Sequence, residues 1–231
     1  MSRPEQGRVG TARAAVAFLL LAVPAAALEV PETRLSLEVS APLPPGFVAA
    51  ALPPRFVLLE DGRVFTGGTS RMAAGRLEKD EVKELEKRLE QVRKLPGLGQ
   101  SIAFGDAPAP RSRLQAPRDR IDVVVTGDPA SAPAALQPLA ALVRDLLAFH
   151  HPSLRPYEPS AYAVLAREAP LPGGCRSWSL PVPLADAVAG GRTVESKDAH
   201  DWPTGAAPAA VCDGERRFVI ALRPLLPGER P

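Results

Sequence analysis

Four apolar residues, Val82, Leu85, Leu89 and Val92, recur every three or four positions through an otherwise charged stretch, and only a helix collects them on one side. Just upstream, two strand-favouring runs, Phe56 to Glu60 and Arg63 to Thr66, flank Asp61-Gly62. That pair predicts a β-hairpin over 55–66 with a tight primed turn, because Asp-Gly supplies positive-φ positions. Burying the four helical residues is worth roughly 6–12 kcal/mol gross, at about 1.5–3 kcal/mol each, so the helix over 79–94 is stable only when docked. The adjacent hairpin is its natural partner. Leu77 and Val82 sit where a hydrophobic staple belongs around a Glu78 cap, and Glu84–Arg88 and Glu90–Lys94 are spaced as ion pairs.

The same reasoning extends along residues 28–150. Leu35, Leu37 and Val39 alternate with polar residues, as in a short half-buried strand, and Ile121 to Thr126 reads as another strand over 121–126. A second apolar stripe, Leu139, Val143, Leu146 and Leu147, predicts a helix over 138–149, with Pro138 tolerated in its first turn. Between Gly99 and Arg120 the prolines and Arg111, Arg113, Arg118 and Arg120 suggest a loop. The expected fold class is α+β: a mainly antiparallel sheet with two amphipathic helices on one face. A β-rich, proline-containing section over 157–231 follows and packs on the first. Its expected strands are Ala161 to Arg167, Ser177 to Val182 and Arg192 to Glu195, followed by a second Asp-Gly hairpin at Asp213-Gly214 leading into Arg217 to Arg223. Only the turn matches between the two hairpins, which argues against an internal duplication.

The N-terminus has Arg3, Arg8 and Arg13 ahead of the apolar run Ala14 to Val23, then Pro24 and three alanines. This is the layout of a secretory signal peptide over 1–27, with an uncleaved anchor as the alternative. Cleavage after Ala27 leaves 231 − 27 = 204 residues, and losing three arginines and Glu5 takes the formal charge from +2 to 0. Net charge then favours neither nucleic acid nor a membrane as partner. Cys175 and Cys212 are the only cysteines, and an oxidising compartment would pair them, with free thiols as the alternative. The expected localisation is secreted or periplasmic.

The strand-DG-strand-helix unit, "PYEPSAYAVLAR", "CRSWSLPVPLA", "DWPTG" and the closing "RPLLPGE" resemble an uncharacterised group of exported bacterial proteins and lipoproteins. The resemblance spans most of residues 54–229. It departs at the N-terminus, where lipid-anchored members would carry a cysteine, and runs short between Gly190 and Trp202. It implies architecture and export, and no chemistry.

Candidate chemical groups are sparse. His200 with Asp201 or Asp198 offers a base and an orienting carboxylate, and His150-His151 sits at a helix end. No GxSxG elbow, P-loop or dinucleotide fingerprint occurs, and no spacing points to a metal or cofactor. Trp178 and Trp202 could line a groove but suit a core better, and Arg223 fits a structural clamp. The expectation is a non-enzymatic binding or envelope-associated module for an unknown protein or small ligand. The alternatives are an extracytoplasmic hydrolase using His200 and an interaction or inhibitor module presenting the 107–120 loop. A buried histidine hydrogen-bonded to a serine, cysteine or carboxylate in a cleft would overturn the first reading.

Overall fold

A computed structural model describes residues 31–40, 48–96, 98–99, 101–105, 110–169, 173–205 and 207–230. The expected signal segment over 1–27 lies outside them. The chain is α+β, with two sheets. The first runs through strands β1 (Thr33–Ser40), β2 (Phe56–Leu59), β3 (Arg63–Thr66) and β4 (Ala73–Arg76), helix α1 (Lys79–Arg93), β5 (Ser101–Phe104), β6 (Arg111–Ala116), β7 (Ile121–Gly127), α2 (Gln137–Leu147) and β8 (Arg155–Pro156). Its strand order is β5-β7-β6-β1-β2-β3-β4-β8, antiparallel except for β5 with β7.

One row of side chains explains the layer. Across five strands the register aligns Val123, Leu114, Leu37, Phe56 and Thr66, all buried and all on the face that α1 and α2 cover. Leu89 and Val92 of α1 and Leu139, Leu142, Val143 and Leu146 of α2 complete that core, while Val82 and Leu85 pack at its edge. The stripe that predicts α1 is therefore the stripe that docks. Glu81 accepts a hydrogen bond from the Glu78 N–H at 2.8 Å, and Leu77 lies in the same core as Val82. Arg55 donates from Nε to the Leu147 carbonyl at 2.8 Å, placing a cation on the last carbonyls of α2.

Several expectations need correction. The first Asp-Gly turn is not primed: the Gly62 N–H bonds the Leu59 carbonyl, and only Gly62 (φ +84°) takes positive φ there. Asp61 instead folds back onto Arg63, accepting its backbone N–H at 3.0 Å and its Nε at 2.7 Å. The second hairpin closes differently, pairing Asp213 with Arg216 around a two-residue loop in which the first residue, Gly214, has φ +59°. The two turns thus share letters and not geometry. Glu84 pairs with Lys87 at 3.2 Å, and Arg88 reaches across to Asp145 of α2 at 2.8 Å, so the expected Glu84–Arg88 pair gives way to a bridge between helices. The helices span 79–93 and 137–147 rather than 79–94 and 138–149.

The largest departure is the stretch expected as an arginine-bearing loop. Residues 111–116 form β6, next to β1 in the sheet interior, with Ser112, Leu114 and Ala116 inward and Arg111, Arg113 and Gln115 outward. Arg113 grips Asp122 of β7 through two hydrogen bonds of 2.9 and 2.8 Å. A strand paired on both sides is not a presented loop, so the interaction-module reading loses its basis. Residues 106–109 lie outside the described set.

The second sheet has the order β10-β9-β12-β11, from β9 (Ala161–Glu168), β10 (Arg192–Glu195), β11 (Ala209–Asp213) and β12 (Arg216–Pro224). A short helix α3 (Leu184–Ala189), which the sequence did not suggest, packs beside β9. Ser177 to Val182, expected as a strand, is not one, although Arg176 makes a parallel bridge to Val211. The second core gathers Val164, Val211, Phe218, Ile220 and Leu222 with Trp202. A disulfide joins Cys175 to Cys212, whose Cα atoms are 5.6 Å apart, and staples the 176 segment to the β11 edge.

The two sheets meet on the back of the first, away from its helices. At one step of the register the back-facing residues are Asp122, Gln115, Ser36, Val57, Phe65 and Ala74, turning from polar to apolar along the row. The apolar half, Val57, Leu59, Phe65 and Met72, is covered by Tyr157 and Leu226 from the segments flanking the second sheet. Among the described residues no helix is long and apolar enough to cross a membrane.

Two outcomes follow. Leu89→Ala removes a fully buried side chain and is expected to cost about 2–5 kcal/mol in urea unfolding, whereas Val82→Ala, at the rim, costs clearly less. Opening the disulfide, which closes 37 residues, should lower stability by about 4 kcal/mol on the chain-entropy account, read as the difference between oxidised protein and the Cys175→Ser, Cys212→Ser variant.

Candidate functional site

A large concavity lies at the seam between the sheets. Its upper wall is the β3–β4 connection, 67–72, held down by the Gly67 N–H on the Arg55 carbonyl and the Gly68 N–H on the Pro53 carbonyl, each at 3.1 Å. Its other wall is the segment joining β8 to β9. There the Tyr157 N–H bonds the Met72 carbonyl at 3.0 Å, the Tyr157 ring meets Phe65 edge-on at 5.2 Å, and its hydroxyl donates to the Leu225 carbonyl at 3.0 Å. Burial pushes that hydroxyl's pKa upward, so it remains a donor across the ordinary pH range. The far side comes from the second sheet, where the Gly205 N–H bonds the Leu222 carbonyl at 2.8 Å and the Ser196 N–H the Ser160 carbonyl at 3.0 Å.

The cleft so formed has a volume of about 650 Å³. Prolines 53, 159 and 224 stiffen its walls, while Arg71, Glu158, Tyr162, Ser70 and Thr204 offer polar atoms. Among the described residues none of these five makes a side-chain hydrogen bond or ion pair. A concave, proline-walled surface with open donors and acceptors suits reversible binding.

The residues singled out from the sequence lie elsewhere. His200 is 71 % exposed, with its ring on the Lys197 carbonyl and on Asp201, each at 3.0 Å, and no nucleophile is among its partners. A hydrolase built on it has no support. The backbone carbonyl of Asp201 accepts from Arg176 at 2.8 Å, and that guanidinium lies 4.2 Å from the centre of the Trp202 ring. Trp202 is buried and packs edge-on against Trp178 at 5.5 Å, so both serve the second core. Arg223 holds Glu229 at 2.5 Å, and Glu229 also accepts the Leu226 N–H at 3.0 Å, making RPLLPGE a closed clip that seats Leu226 on the first sheet. Among the described residues no three His, Cys, Asp or Glu side chains converge to hold a metal.

One constellation bears on catalysis. His151 Nε2 lies 3.0 Å from Glu81 and Nδ1 lies 2.7 Å from the Ser153 hydroxyl, beside an apolar groove of about 250 Å³ between α1 and α2. The connectivity is that of an acid-base-nucleophile set, the finding expected to overturn a non-enzymatic reading. The serine's surroundings argue for a structural role. Ser153 Oγ lies 3.0 Å from both the Arg76 carbonyl and the Arg76 N–H, so the β4 backbone competes with the imidazole, at 2.7 Å, for its single proton. Nδ1 also faces the Ser153 N–H at 3.2 Å, and the groove is lined by His151 without Ser153. Gly75 makes the arrangement possible, because a Cβ there would lie 2.4 Å from Ser153 Oγ. The set is a strap tying the α2–β8 connection to β4 and to the start of α1.

Comparison with protein-family models, with characterised proteins and with solved structures finds no match for this chain. The sequence signals for the cleft were weak. Tyr157, Glu158 and Tyr162 fall in the PYEPSAY stretch, but Arg71 and Ser70 belong to no motif, and only the β4–β8 pairing brings the two stretches together.

The strap predicts a pH dependence. The Glu78 N–H, and next the His151 ring, hold the Glu81 carboxyl below its ordinary range. A lowered folded-state pKa contributes stability that is complete above the unfolded value, about 4.3, and is lost as pH falls through the folded one. Solvent screening keeps the effect small. Glu81→Gln should therefore flatten the acid limb of a stability-against-pH curve below that point; an unchanged limb would remove Glu81 from the account.

Proposed function

We propose that this chain is an exported, non-enzymatic binding module whose ligand sits in the cleft between the two sheets. The observation that carries the reading is the cleft's unspent hydrogen-bonding capacity: Arg71, Glu158, Tyr162, Ser70 and Thr204 line one concavity, and their side chains make no hydrogen bond or ion pair among the described residues. A fold needs no such collection for stability, and each group recovers its hydrogen bonds from water or from a ligand. The walls come from stiff, hydrogen-bonded segments, so little ordering entropy opposes binding.

Export is supported by two independent features. The cationic, apolar and small-residue sequence of 1–27 has the order of a signal peptide. The Cys175–Cys212 disulfide persists most readily outside a reducing cytosol. Envelope association, in the periplasm or beyond the cell, is the setting the proposal assigns to the binding event.

Ser70→Trp tests it, since Ser70 is an exposed loop residue on the cleft wall and a Trp side chain there fills the opening without touching either core. In a thermal-shift screen of small polar compounds, wild-type protein is expected to gain stability with at least one compound. The variant should melt as wild type does when alone and lose that gain. Compounds that stabilise both proteins equally, or a wild type that answers to none, would sink the reading.

A further inference from the structure

The cleft carries one opposite-charge pair whose placement follows from register. β4 and β8 are antiparallel, with Ala74 opposite Arg155 and Ala73 opposite Pro156. The Tyr157 N–H to Met72 carbonyl bond at 3.0 Å continues the ladder by one step. Extended one step past the paired residues, the same register sets Arg71 against Glu158, and both line the cleft. Facing side chains of opposite sign on an antiparallel pair ordinarily close on each other. These two do not: neither makes an ion pair or hydrogen bond among the described residues, and both are exposed to the cleft. Arg113 and Asp122, only diagonal neighbours on β6 and β7, are by contrast locked through two hydrogen bonds.

An open guanidinium and an open carboxylate on adjoining walls of one cleft impose a selection. The guanidinium fork fits a carboxylate through two parallel hydrogen bonds, and Glu158 fits an ammonium. A ligand with only one charge gains at one residue and is repelled at the other, whereas a ligand carrying both gains twice. Tyr162, Ser196 and Thr204 add hydroxyls from the second sheet's side of the cleft, suited to amide groups of a ligand. The volume of about 650 Å³ lies mid-range for small-ligand pockets, about 300–1,000 Å³, and exceeds what one free amino acid fills. Building on the cleft reading above, we infer that the ligand is a short zwitterionic peptide with both termini free, its carboxylate on Arg71 and its ammonium on Glu158.

The experiment is a titration of the oxidised protein with trialanine, N-acetyl-trialanine, trialanine amide and free alanine, followed by chemical shifts of cleft residues at low salt. Trialanine is expected to bind, with each blocked form weaker by about tenfold, the factor one charge-assisted hydrogen bond accounts for, and alanine weaker than trialanine. Arg71→Glu and Glu158→Arg should each weaken trialanine to a similar degree. The double variant Arg71→Glu, Glu158→Arg restores the pair with the charges exchanged and should recover binding with the peptide reversed, which a merely structural role for either residue does not predict. Blocked peptides that bind as well as free ones, a double variant no better than the singles, or no binding by trialanine each overturn the inference. If trialanine fails while another compound binds wild type and is excluded by Ser70→Trp, the zwitterion falls and the cleft stands. If Ser70→Trp excludes nothing that binds wild type, both fall.

Discussion

Strand β1 pairs with β2 on one side and with β6 on the other, and its inward Leu35 and Leu37 are wholly buried under the helices. The rest of the molecule hangs on that double pairing. Without β1 the first sheet is two separate pieces, a β2–β3–β4–β8 group and a β5–β7–β6 group, each with half a floor for α1 and α2 to cover. Each piece alone holds only part of the apolar floor, and amphipathic helices of 15 and 11 residues are marginal until they dock. The inward row from Val123 to Thr66 is what docks them.

The polar devices around β1 fix its register. The ladder slips between Thr33 and Leu35, and the extra residue, Arg34, reaches both Glu60 of the β2–β3 turn and Glu86 of α1. Glu60 also takes Arg118 at 2.9 Å from the connection between β6 and β7. A bulge that re-aims a cation in this way ties four elements at one end of the sheet. Ion pairs here set alignment more than stability, since their desolvation offsets much of their attraction. A one-residue slip would turn every leucine outward and also break this cluster.

The back of the sheet then decides where function can sit. Its apolar half recruits Tyr157 and Leu226, and the RPLLPGE clip holds Leu226 there through the Arg223–Glu229 pair. Two sheets joined along half a face cannot close at the loops, and the cleft is the remaining gap. Its walls are the ends of elements whose interiors are spent on packing. That division is common where rigid strands carry binding residues at their termini.

Much of the framework was legible because its signal is local. The stripe at Val82, Leu85, Leu89 and Val92, the run IDVVVT and the alternation of RFVIALR each declare an element from spacing alone. β6 was not legible: its inward positions, Ser112, Leu114 and Ala116, are small or few, and prolines flank it, so a two-sided interior strand reads as a loop. The Asp-Gly pairs predicted hairpins and misjudged one turn type, because Asp61 spends its carboxylate on Arg63 instead of taking positive φ. His200, conspicuous in sequence, is exposed, whereas Arg71 and Glu158, unremarkable in sequence and 87 residues apart, from 158 − 71, line the same cleft. Local periodicity by itself determined the two long helices and most of the strands, since side-chain spacing against water is enough for that. Which strands become neighbours, and so which loop residues share a cleft, was decided only by the tertiary fold, because pairing between distant segments depends on the common core they bury together.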